Sequence, residues 1–330
     1  MNLETKLTNV WRALRRRILT PNVSATRLDV RGFHEKNPAA RELLETVGLM
    51  FLTGYAYAAE CREPAEAEDR MDELPVQFRG FAYEGAGMGF AVRDGLPFGR
   101  TDHVERFLAG RGDDHVYMVY VGIGWGMARL PRFRWPRAGD TDPLLRWLVL
   151  DGYGFHQAYF HTRKYVHEQY QDQAFPWPAD NERWYANQAI DQGIGRAMWF
   201  INGTDARLVT EMIEGFPEER QADLYAGVGL AATYAGGVDE DELQLVWERA
   251  GKHRPYVSQA SAFAAEARVR AGLVIPHTHV ATRVFCGVSP ERAALVTREV
   301  RPDEPLQGDL PAYETWRQRI ANEFVSLGRS

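Results

Sequence analysis

Cysteine is nearly absent from this sequence: Cys61 and Cys286 are its only two thiols in 330 residues. Two thiols so far apart cannot form the disulfide framework of a small secreted domain. No window holds the roughly eighteen unbroken apolar residues that a membrane-spanning helix needs, and the N-terminus lacks the apolar stretch of a secretory signal. We therefore expect a cytoplasmic protein. A net charge of −6 gives no general attraction to nucleic acid, so no nucleic-acid partner is expected.

Common catalytic signatures are missing as well. There is no G-x-S-x-G elbow, no Walker loop, no C-x-x-C pair and no aspartate-rich cyclase motif, which excludes the mechanisms that depend on them. A metal site built from His277, His279 and Cys286 would still need a fourth ligand, and no metal is predicted. No pattern identifies a cofactor.

Residues 1–20 have the pattern of a basic amphipathic helix. Their apolar side chains fall on one helical stripe, and four arginines follow the other side. Such a helix can lie on an anionic membrane as a peripheral contact. Docking on the protein's own body is the favoured interpretation.

Small residues recur along the chain in segments built on G-x-G or its alanine variant. The first small residues of successive segments lie 31, 37, 30, 41, 34 and 33 positions apart. This spacing is close to the roughly 34 to 47 residues that one helical hairpin takes in repeat proteins. The seven copies are TGYAYA (53–58), EGAGMG (84–89), VGIGWG (121–126), DGYGFH (151–156), QGIGRA (192–197), AGVGLA (226–231) and QASAFA (259–264).

These segments are predicted to be helices rather than loops. Residues 116–130 and 224–236 stay apolar for too long to be turns, and no proline interrupts them. Glycine in a helix costs about 1 kcal/mol relative to alanine, so repeated helical glycines indicate close helix packing. A dinucleotide-binding loop would need a strand before it, and seven copies at hairpin spacing argue against one. The predicted fold class is all-α: antiparallel helical hairpins in an open solenoid or a curled array, with the small-residue helices inside.

The copies also group into two halves. Counterparts lie at nearly constant offsets of 139, 142 and 138 residues: Gly54 and Gly193, Gly85 and Gly227, and Gly122 and Ala260. We interpret this as an internal duplication of a unit of about 140 residues. The predicted organisation is one continuous repeat domain, with a lead-in (1–38), a first half (39–175) and a second half (176–330).

Two residues break the pattern on the packed side of the helices. The fourth position of a copy is apolar or aromatic except at Arg196, and the fifth is Ala or Gly except at His156. Departures from a consistent pattern often mark function or strain, so both are candidate catalytic residues. The alternatives are that Arg196 lies near an end of the array with its head in solvent, and that His156 is a satisfied core histidine. His156→Ala is expected to leave stability within about 1 kcal/mol of wild type.

The position before each first small residue holds a carboxylate or an amide in four copies: Glu84, Asp151, Gln192 and Gln259. A carboxylate among packed helices needs a partner, because an unpaired buried charge costs several kcal/mol. Arg79 and Arg163 are candidate partners, and exposure at a helix start is the alternative. Beside His156, either carboxylate would form a proton-transfer couple, which makes Glu84 and Asp151 candidate catalytic residues. We expect His156 to lie in a cavity with at least one of Glu84, Asp151 and Arg196 and to support function more than folding.

Aromatic residues make up 12% of the chain. Those near the repeated segments would line an apolar pocket for a hydrophobic ligand, with ordinary core packing as the alternative. The candidate substrate-binding residues are Trp125, Tyr153, Tyr159, Trp199 and Tyr225.

Four segments carry a resemblance to a known bacterial family: LPVQFRGFAYEGAGMGFA (74–91), LRWLVLDGYGFHQAYFH (145–161), DQGIGRAMWF (191–200) and RQADLYAGVGLAATYAGG (220–237). In these segments the chain resembles the family typified by UnbL, whose members are encoded in the conserved enediyne polyketide cassette. The resemblance implies a role in natural-product (antibiotic) biosynthesis after the iterative polyketide synthase, when a linear polyene is processed towards the enediyne core. It supplies no agreed reaction and no catalytic residues.

Three functions remain open at this point. The first is an enzyme, or an essential component of one, that acts on a hydrophobic polyene or polyketide. The second is a non-catalytic helical scaffold that gathers other cassette proteins on a concave surface. The third is a binding protein that sequesters a reactive polyene. An apolar tunnel containing His156 would favour the first or third function, and an open concave face with scattered charge would favour the second.

Overall fold

A computed structural model of the chain describes residues 12–97, 100–178, 181–302 and 310–329. These ranges contain helices and no strand, so the all-α prediction is confirmed. The α-helices are α1 (described over 12–19), α2 (Leu28–Arg31), α3 (Pro38–Glu60), α4 (Pro64–Asp72), α5 (Val76–Asp94), α6 (His103–Leu108), α7 (Val116–Arg129), α8 (Trp147–Phe160), α9 (Ala186–Ile201), α10 (Ala206–Glu214), α11 (Glu218–Tyr234), α12 (Glu240–Ala250), α13 (Arg254–Arg270), α14 (Pro276–Cys286), α15 (Pro290–Glu299) and α16 (Ala312–Ser326).

The seven small-residue copies lie in seven helices, and consecutive members of this set pack against each other. In chain order these array helices are α3, α5, α7, α8, α9, α11 and α13. The contacts advance in the same direction along both partners: Gly85 of α5 meets Phe51 of α3, and Gly89 meets Tyr55. Neighbouring array helices therefore run parallel, and the segment between them returns the chain.

The two glycines of one copy contact different neighbours. A Cβ atom on Gly122 would lie 2.1 Å from the carbonyl oxygen of Glu84 in α5, and one on Gly124 would lie 1.9 Å from that of Val149 in α8. Residues two positions apart point roughly 200° apart around a helix. The first glycine therefore faces the preceding helix and the second faces the following one. Because neighbouring backbones touch, neither position has room for a side chain.

The return segments differ in form. Helices α4, α6, α10 and α12 return the chain between four pairs of array helices, whereas 3₁₀ and π turns do so on either side of α8. Asp205 caps the start of α10, because its side chain accepts from the Leu208 N–H at 3.0 Å. These short returns keep the array helices next to one another in chain order.

The array is curled rather than open. Across it, α5 approaches α11, where the ring centroids of Phe81 and Tyr234 lie 5.1 Å apart. Ahead of α3, the Lys36 ammonium lies 2.8 Å from a carboxylate oxygen of Glu242 in α12. The early helices of the array therefore face the later ones, and the space between them is enclosed.

The described part of the basic N-terminal helix docks on the protein itself. Arg12 and Arg15 donate to the carbonyl oxygen of Glu60 at 2.9 and 3.0 Å, at the last residue of α3. Arginine there satisfies carbonyl groups that have no partner within the helix and lies at the negative end of its dipole. Residues 1–11 of the predicted helix lie outside the described residues. No helix in the described part of the chain is long and apolar enough to cross a membrane.

The proposed duplication into 39–175 and 176–330 stays a prediction. The array continues without a break across the expected junction, because α8 packs on α9 through Gly154 and Gly193. The chain thus has one array, and its curled form decides where the candidate site lies.

Candidate functional site

The curled array encloses a cavity lined by residues from all seven array helices and from α16. The volume of the cavity, measured as the space that the centre of a water-sized sphere can occupy, is about 110 Å³. A single water molecule needs only about 10–15 Å³ on this measure. Twelve of the described lining residues are aromatic, and most others are aliphatic. The exposed Arg129 and the turn around Ala25 lie among the less buried parts of the lining. The interior can therefore hold an apolar ligand.

The register of the repeat decides which side chains line the cavity. The residue before the first small residue and the residue in the fourth position are four apart, so they share one helix face. Three such pairs line the cavity: Glu84 and Met88, Val121 and Trp125, and Asp151 and Phe155. Arg196 occupies the fourth position of its copy and lines the cavity too. The charged residues singled out in the sequence thus face the interior of the array.

Three charged side chains meet on the cavity wall. Arg196 binds Asp151 through Nη1 and Oδ1, and its Nη2 lies 3.5 Å from Glu84 Oε1. Trp125 Nε1 donates to the same Glu84 oxygen at 3.1 Å. The three charged residues are each at most 6% exposed. Asp151 and Arg196 come from the neighbouring helices α8 and α9, whereas Glu84 comes from α5, which the curl of the array brings close to them.

The structure corrects two expectations about these charges. The carboxylates do not pair with arginines near them in sequence: Arg79 donates to the Leu74 carbonyl oxygen at 3.1 Å, and Arg163 pairs with Glu168 at 2.8 Å. Arg196 is also not near an end of the array, because α9 is the fifth of its seven helices. A buried arginine facing two carboxylates gains their attraction, which offsets part of the cost of removing all three from water.

Burial decides the protonation of this cluster. It raises the pKa of Glu84 to about 7, a rise that Arg196 opposes and Asp151 reinforces. Burial also raises the pKa of Asp151, against the effect of Arg196. Burial lowers the pKa of Arg196, but the two carboxylates more than offset this and raise it. Arg196 therefore stays cationic beside Asp151, while Glu84 can hold or release a proton near neutral pH.

A second buried network adjoins the cavity and uses the other two polar repeat positions. Gln192 accepts from the Tyr313 hydroxyl at 3.3 Å, and Gln259 accepts from Arg317 Nε at 3.2 Å. The Arg317 guanidinium also binds the carboxylates of Glu314, at 2.7 Å, and Asp223, at 2.8 Å. Tyr313 is the member of this network that lines the cavity. All four carboxylate or amide residues before the small-residue pairs thus belong to buried networks beside one cavity.

His156 lies behind the cavity wall and is not among its described lining residues. The expectation that it shares the cavity with the charged residues is therefore not met. Its ring centroid lies 4.7 Å from that of Phe160 and 5.5 Å from that of Trp125. Burial lowers the pKa of His156 to about 3, so the ring is neutral at pH 7. This placement fits a core histidine, although Nδ1 has no hydrogen-bond partner in the described part of the chain.

The five candidate aromatic residues separate into two groups. Trp125 and Tyr159 line the cavity. Tyr153 lines a different cleft, on the opposite side of α8. Trp199 and Tyr225 are core residues outside the cavity lining: Trp199 Nε1 donates to the Gly236 carbonyl oxygen at 2.9 Å, and the Tyr225 hydroxyl donates to that of Arg249 at 3.2 Å.

Ten of the twelve aromatic lining residues were not candidates from the sequence, and Tyr234, Tyr313 and Trp316 are among them. Tyr313 and Trp316 belong to α16, which follows the unrecognised last part of the repeat. Their spacing of three residues on one helix face was the available signal. Tyr234 lies against Gly80, and no described residue forms a hydrogen bond with its buried hydroxyl. This hydroxyl is free for a polar atom of a ligand.

The described residues contain no group of three or more His, Cys, Asp or Glu side chains that could hold a metal ion. His277 Nε2 instead lies 2.8 Å from the Ala232 carbonyl oxygen, and Cys286 Sγ donates to that of Ser258 at 3.4 Å.

One known protein family matches nearly the whole chain. A family model described as "Protein of unknown function (DUF1702)" matches residues 10–324. No curated protein and no solved structure matches the chain.

Proposed function

The chain belongs to the family described as "Protein of unknown function (DUF1702)", and we propose that it is an enzyme that binds a linear hydrophobic polyene in the cavity and shifts its double bonds by proton transfer. The substrate class comes from the cavity's aromatic interior and from the resemblance to enediyne-cassette proteins. On that basis the reaction belongs to polyketide processing towards an enediyne core.

One observation carries the proposal: the buried Glu84 carboxyl lies on the wall of an apolar cavity, where burial raises its pKa to about 7. Glu84 Oε1 is held by Trp125 Nε1 at 3.1 Å and faces Arg196 Nη2 at 3.5 Å. No described residue forms a hydrogen bond with Oε2, so this oxygen can carry the exchanging proton. General acid–base catalysis is most effective when the pKa of the group lies near the operating pH.

The reaction needs no oxidant or reductant. The Glu84 carboxyl gives its proton to one carbon of the conjugated chain, and the electron pair of a double bond forms the new C–H bond. The remaining chain is a delocalised cation. The Glu84 carboxylate then removes a proton from a different carbon, and that C–H electron pair restores a double bond. The product is an isomer of the substrate, and Glu84 returns to its starting state.

The surrounding residues have defined roles in this scheme. Arg196 pairs with Asp151 and fixes the position of Glu84. We therefore assign Arg196 and Asp151 as positioning residues. The aromatic rings that line the cavity stabilise the transient cation, since aromatic rings attract positive charge by about 0.5–2 kcal/mol each. The enclosed aromatic lining excludes water that would otherwise add to the cation.

Two alternatives carry less support. A scaffold needs an open concave face, whereas the array curls around a cavity. A protein that only sequesters a polyene would use the same aromatic lining, but it would have no use for a carboxyl that exchanges protons there. A proton-exchange experiment distinguishes the proposed enzyme from a protein that only sequesters a polyene.

The test uses a conjugated C18 tetraene ester and follows deuterium incorporation by mass spectrometry in D₂O. We expect the wild type to incorporate deuterium into the tetraene, and Glu84→Gln to lose about 10²- to 10⁴-fold of this rate while still binding the ester. Glu42→Gln, an exposed substitution on α3, is the matched control and should keep the full rate.

Tetraene fluorescence measures binding independently in each variant. Binding without deuterium incorporation in the wild type would establish the sequestering function instead. No binding of the tetraene would refute both. The enediyne assignment is tested separately, by mass spectrometry of a linear polyene incubated with this protein alone and with the proteins encoded beside its gene.

A further inference from the structure

Helix α8 separates the cavity from a second, polar cleft. Asp151, Phe155 and Tyr159 face the cavity, whereas Tyr153, Gln157 and His161 line the cleft. Residues two apart point to nearly opposite sides of a helix, so one helix serves both spaces. The proposed reaction assigns no role to the cleft. About 300 Å³ of it is open to the centre of a water-sized sphere, compared with about 110 Å³ in the cavity.

The cleft has an aromatic floor and a cationic rim. Tyr153, Tyr165 and Phe175 form its buried floor together with Ile190. The Arg132 and Lys164 side chains are exposed at its edge. The floor suits a ring or another flat apolar group, and the rim suits a negative charge.

The charges of the cleft are unbalanced. Asp172 is its only described carboxylate, and it already accepts from the Ala174 N–H at 3.0 Å and lies 3.4 Å from Arg132. The Lys164 ammonium lies 3.8 Å from the ring centroid of Tyr170 and 5.4 Å from that of Tyr165. No described carboxylate lies within ion-pair distance of it. Lys164 is therefore a cation fixed over aromatic rings with its charge still available.

The polar wall of the cleft also has unused hydrogen-bonding capacity. Asn187 is engaged, since its Nδ2 donates to the Asp172 carbonyl oxygen at 3.2 Å. Gln171 is engaged as well, because its Nε2 donates to Asp191 at 3.0 Å. The Gln157 side-chain amide, in contrast, forms no hydrogen bond with any described residue. It lines the cleft one helical turn after Tyr153 and is half-buried.

We propose that this cleft is a binding site for a small organic anion, a carboxylate or phosphate carried on a ring, which lies on the Tyr153–Tyr165–Phe175 floor with its charge against Lys164. Gln157 donates an N–H to the same anionic group. The neighbouring backbone departs from regular helix, with a π turn at Arg163–His167 and a positive φ of 52° at Gln169. Lys164 belongs to this π turn, and Tyr170 follows Gln169 directly.

Isothermal titration calorimetry with benzoate, phenyl phosphate and neutral benzamide tests the site. We expect benzoate or phenyl phosphate to bind and benzamide to bind at least about tenfold more weakly, since a charge-assisted hydrogen bond is lost. Whichever anion binds more tightly identifies the natural head group as carboxylate or phosphate. Inorganic phosphate should bind more weakly than phenyl phosphate, because it cannot use the floor.

Lys164→Met should weaken anion binding by about tenfold or more, and Gln157→Leu should weaken it by a smaller factor. The matched control is Arg163→Met, one residue away, because Arg163 is exposed, pairs with Glu168 and does not line the cleft. All three substitutions lie at the surface or in half-buried positions, and circular dichroism checks their folding. The proposal is overturned if neither anion binds, if benzamide binds as well as benzoate, or if Lys164→Met binds like wild type.

Discussion

Glu84 and Arg196 show how a repeat can point to function through single residues. Six copies of the fourth position hold an apolar or aromatic side chain, and the seventh holds Arg196. The structure places this arginine opposite Glu84 and Asp151, each of which precedes the glycine pair of its own copy. Each charge alone would be costly at a buried position, so the three are best understood as one cluster.

The stability of the protein should report the protonation of Glu84. Its pKa in the folded protein is about 7, against an ordinary value of 4.5. The folded state therefore holds the proton more tightly than the unfolded chain, and the free energy of unfolding falls as pH rises from about 4.5 through 7. Glu84→Gln removes this loss. Between about pH 4.5 and pH 8 its stability relative to wild type should rise by roughly 3 kcal/mol at most.

Urea denaturation across this pH range measures the effect, with Glu42→Gln as the control at an exposed position. A constant difference between Glu84→Gln and wild type at every pH would contradict a raised pKa. If the proposed reaction depends on the Glu84 proton, the deuterium-incorporation rate of the wild type should also decline above about pH 7.

His156 leads to a different expectation now that its neighbours are known. Its ring packs on Phe160 and Trp125, so His156→Ala should lower the free energy of unfolding by about 1–3 kcal/mol at neutral pH, more than the sequence suggested. Its folded pKa lies near 3 and below its ordinary 6.5. Stability is therefore lost as pH falls through 6.5, and His156→Ala should lack this part of the loss.

Chemical denaturation at neutral and acidic pH, combined with the deuterium assay, decides the role of His156. We expect the variant to keep proton transfer close to the wild-type rate. A variant that is as stable as wild type but inactive would indicate that His156 is a catalytic residue.

At the scale of the elements, the glycine pairs fix how closely the helices pack. Each of the five inner array helices contacts an array helix on both sides, and all five carry a G-x-G segment. A G-x-G segment provides one contact point on each side, and neighbouring backbones come within van der Waals distance there. The side chains between these contact points face the cavity. The packing motif therefore also determines which residues line the site.

Alanine substitutions test this role of the glycines. A Cβ atom at Gly124 would lie 1.9 Å from the carbonyl oxygen of Val149, so Gly124→Ala has to separate α7 from α8. We expect it to lower the free energy of unfolding by about 3 kcal/mol. The larger Gly122→Leu and Gly227→Leu substitutions should destabilise at least as much, since both Cβ positions lie 2.1 Å from backbone oxygens.

Gly139→Ala is the matched control for Gly124→Ala. No atom lies within 4 Å of its Cβ position, and it belongs to the turn between α7 and α8. This variant should be neutral or more stable by about 0.5 kcal/mol, because alanine restricts the unfolded chain. Equal melting temperatures for Gly124→Ala and Gly139→Ala would contradict the packing role.

At the scale of the whole molecule, the curl links distant parts of the chain. The charged cluster joins α5 with α8 and α9, and Lys36 ahead of α3 binds Glu242 in α12. The second network joins α9 and α11 to α16 through Gln192, Asp223 and Arg317. An open repeat array has only neighbour contacts, whereas these contacts span much of the sequence.

This connectivity predicts one cooperative unfolding transition for the two sequence halves. Differential scanning calorimetry should give a ratio of calorimetric to van't Hoff enthalpy near one. Arg317→Met should lower the transition temperature without splitting the transition, because it leaves Glu314 and Asp223 buried without their cation. Two separate transitions would instead indicate that 39–175 and 176–330 unfold independently.

The sequence by itself determined the helices and their inner faces. Periodic small residues and uninterrupted apolar stretches are local signals, so they predicted an all-α array and singled out Glu84, Asp151 and Arg196. Only the tertiary structure decided that the array curls, that Arg196 rather than Arg79 or Arg163 pairs with the carboxylates, and that His156 lies behind the wall. Each of these depends on where helices far apart in sequence meet, and that follows from the summed geometry of every helix contact rather than from any local pattern.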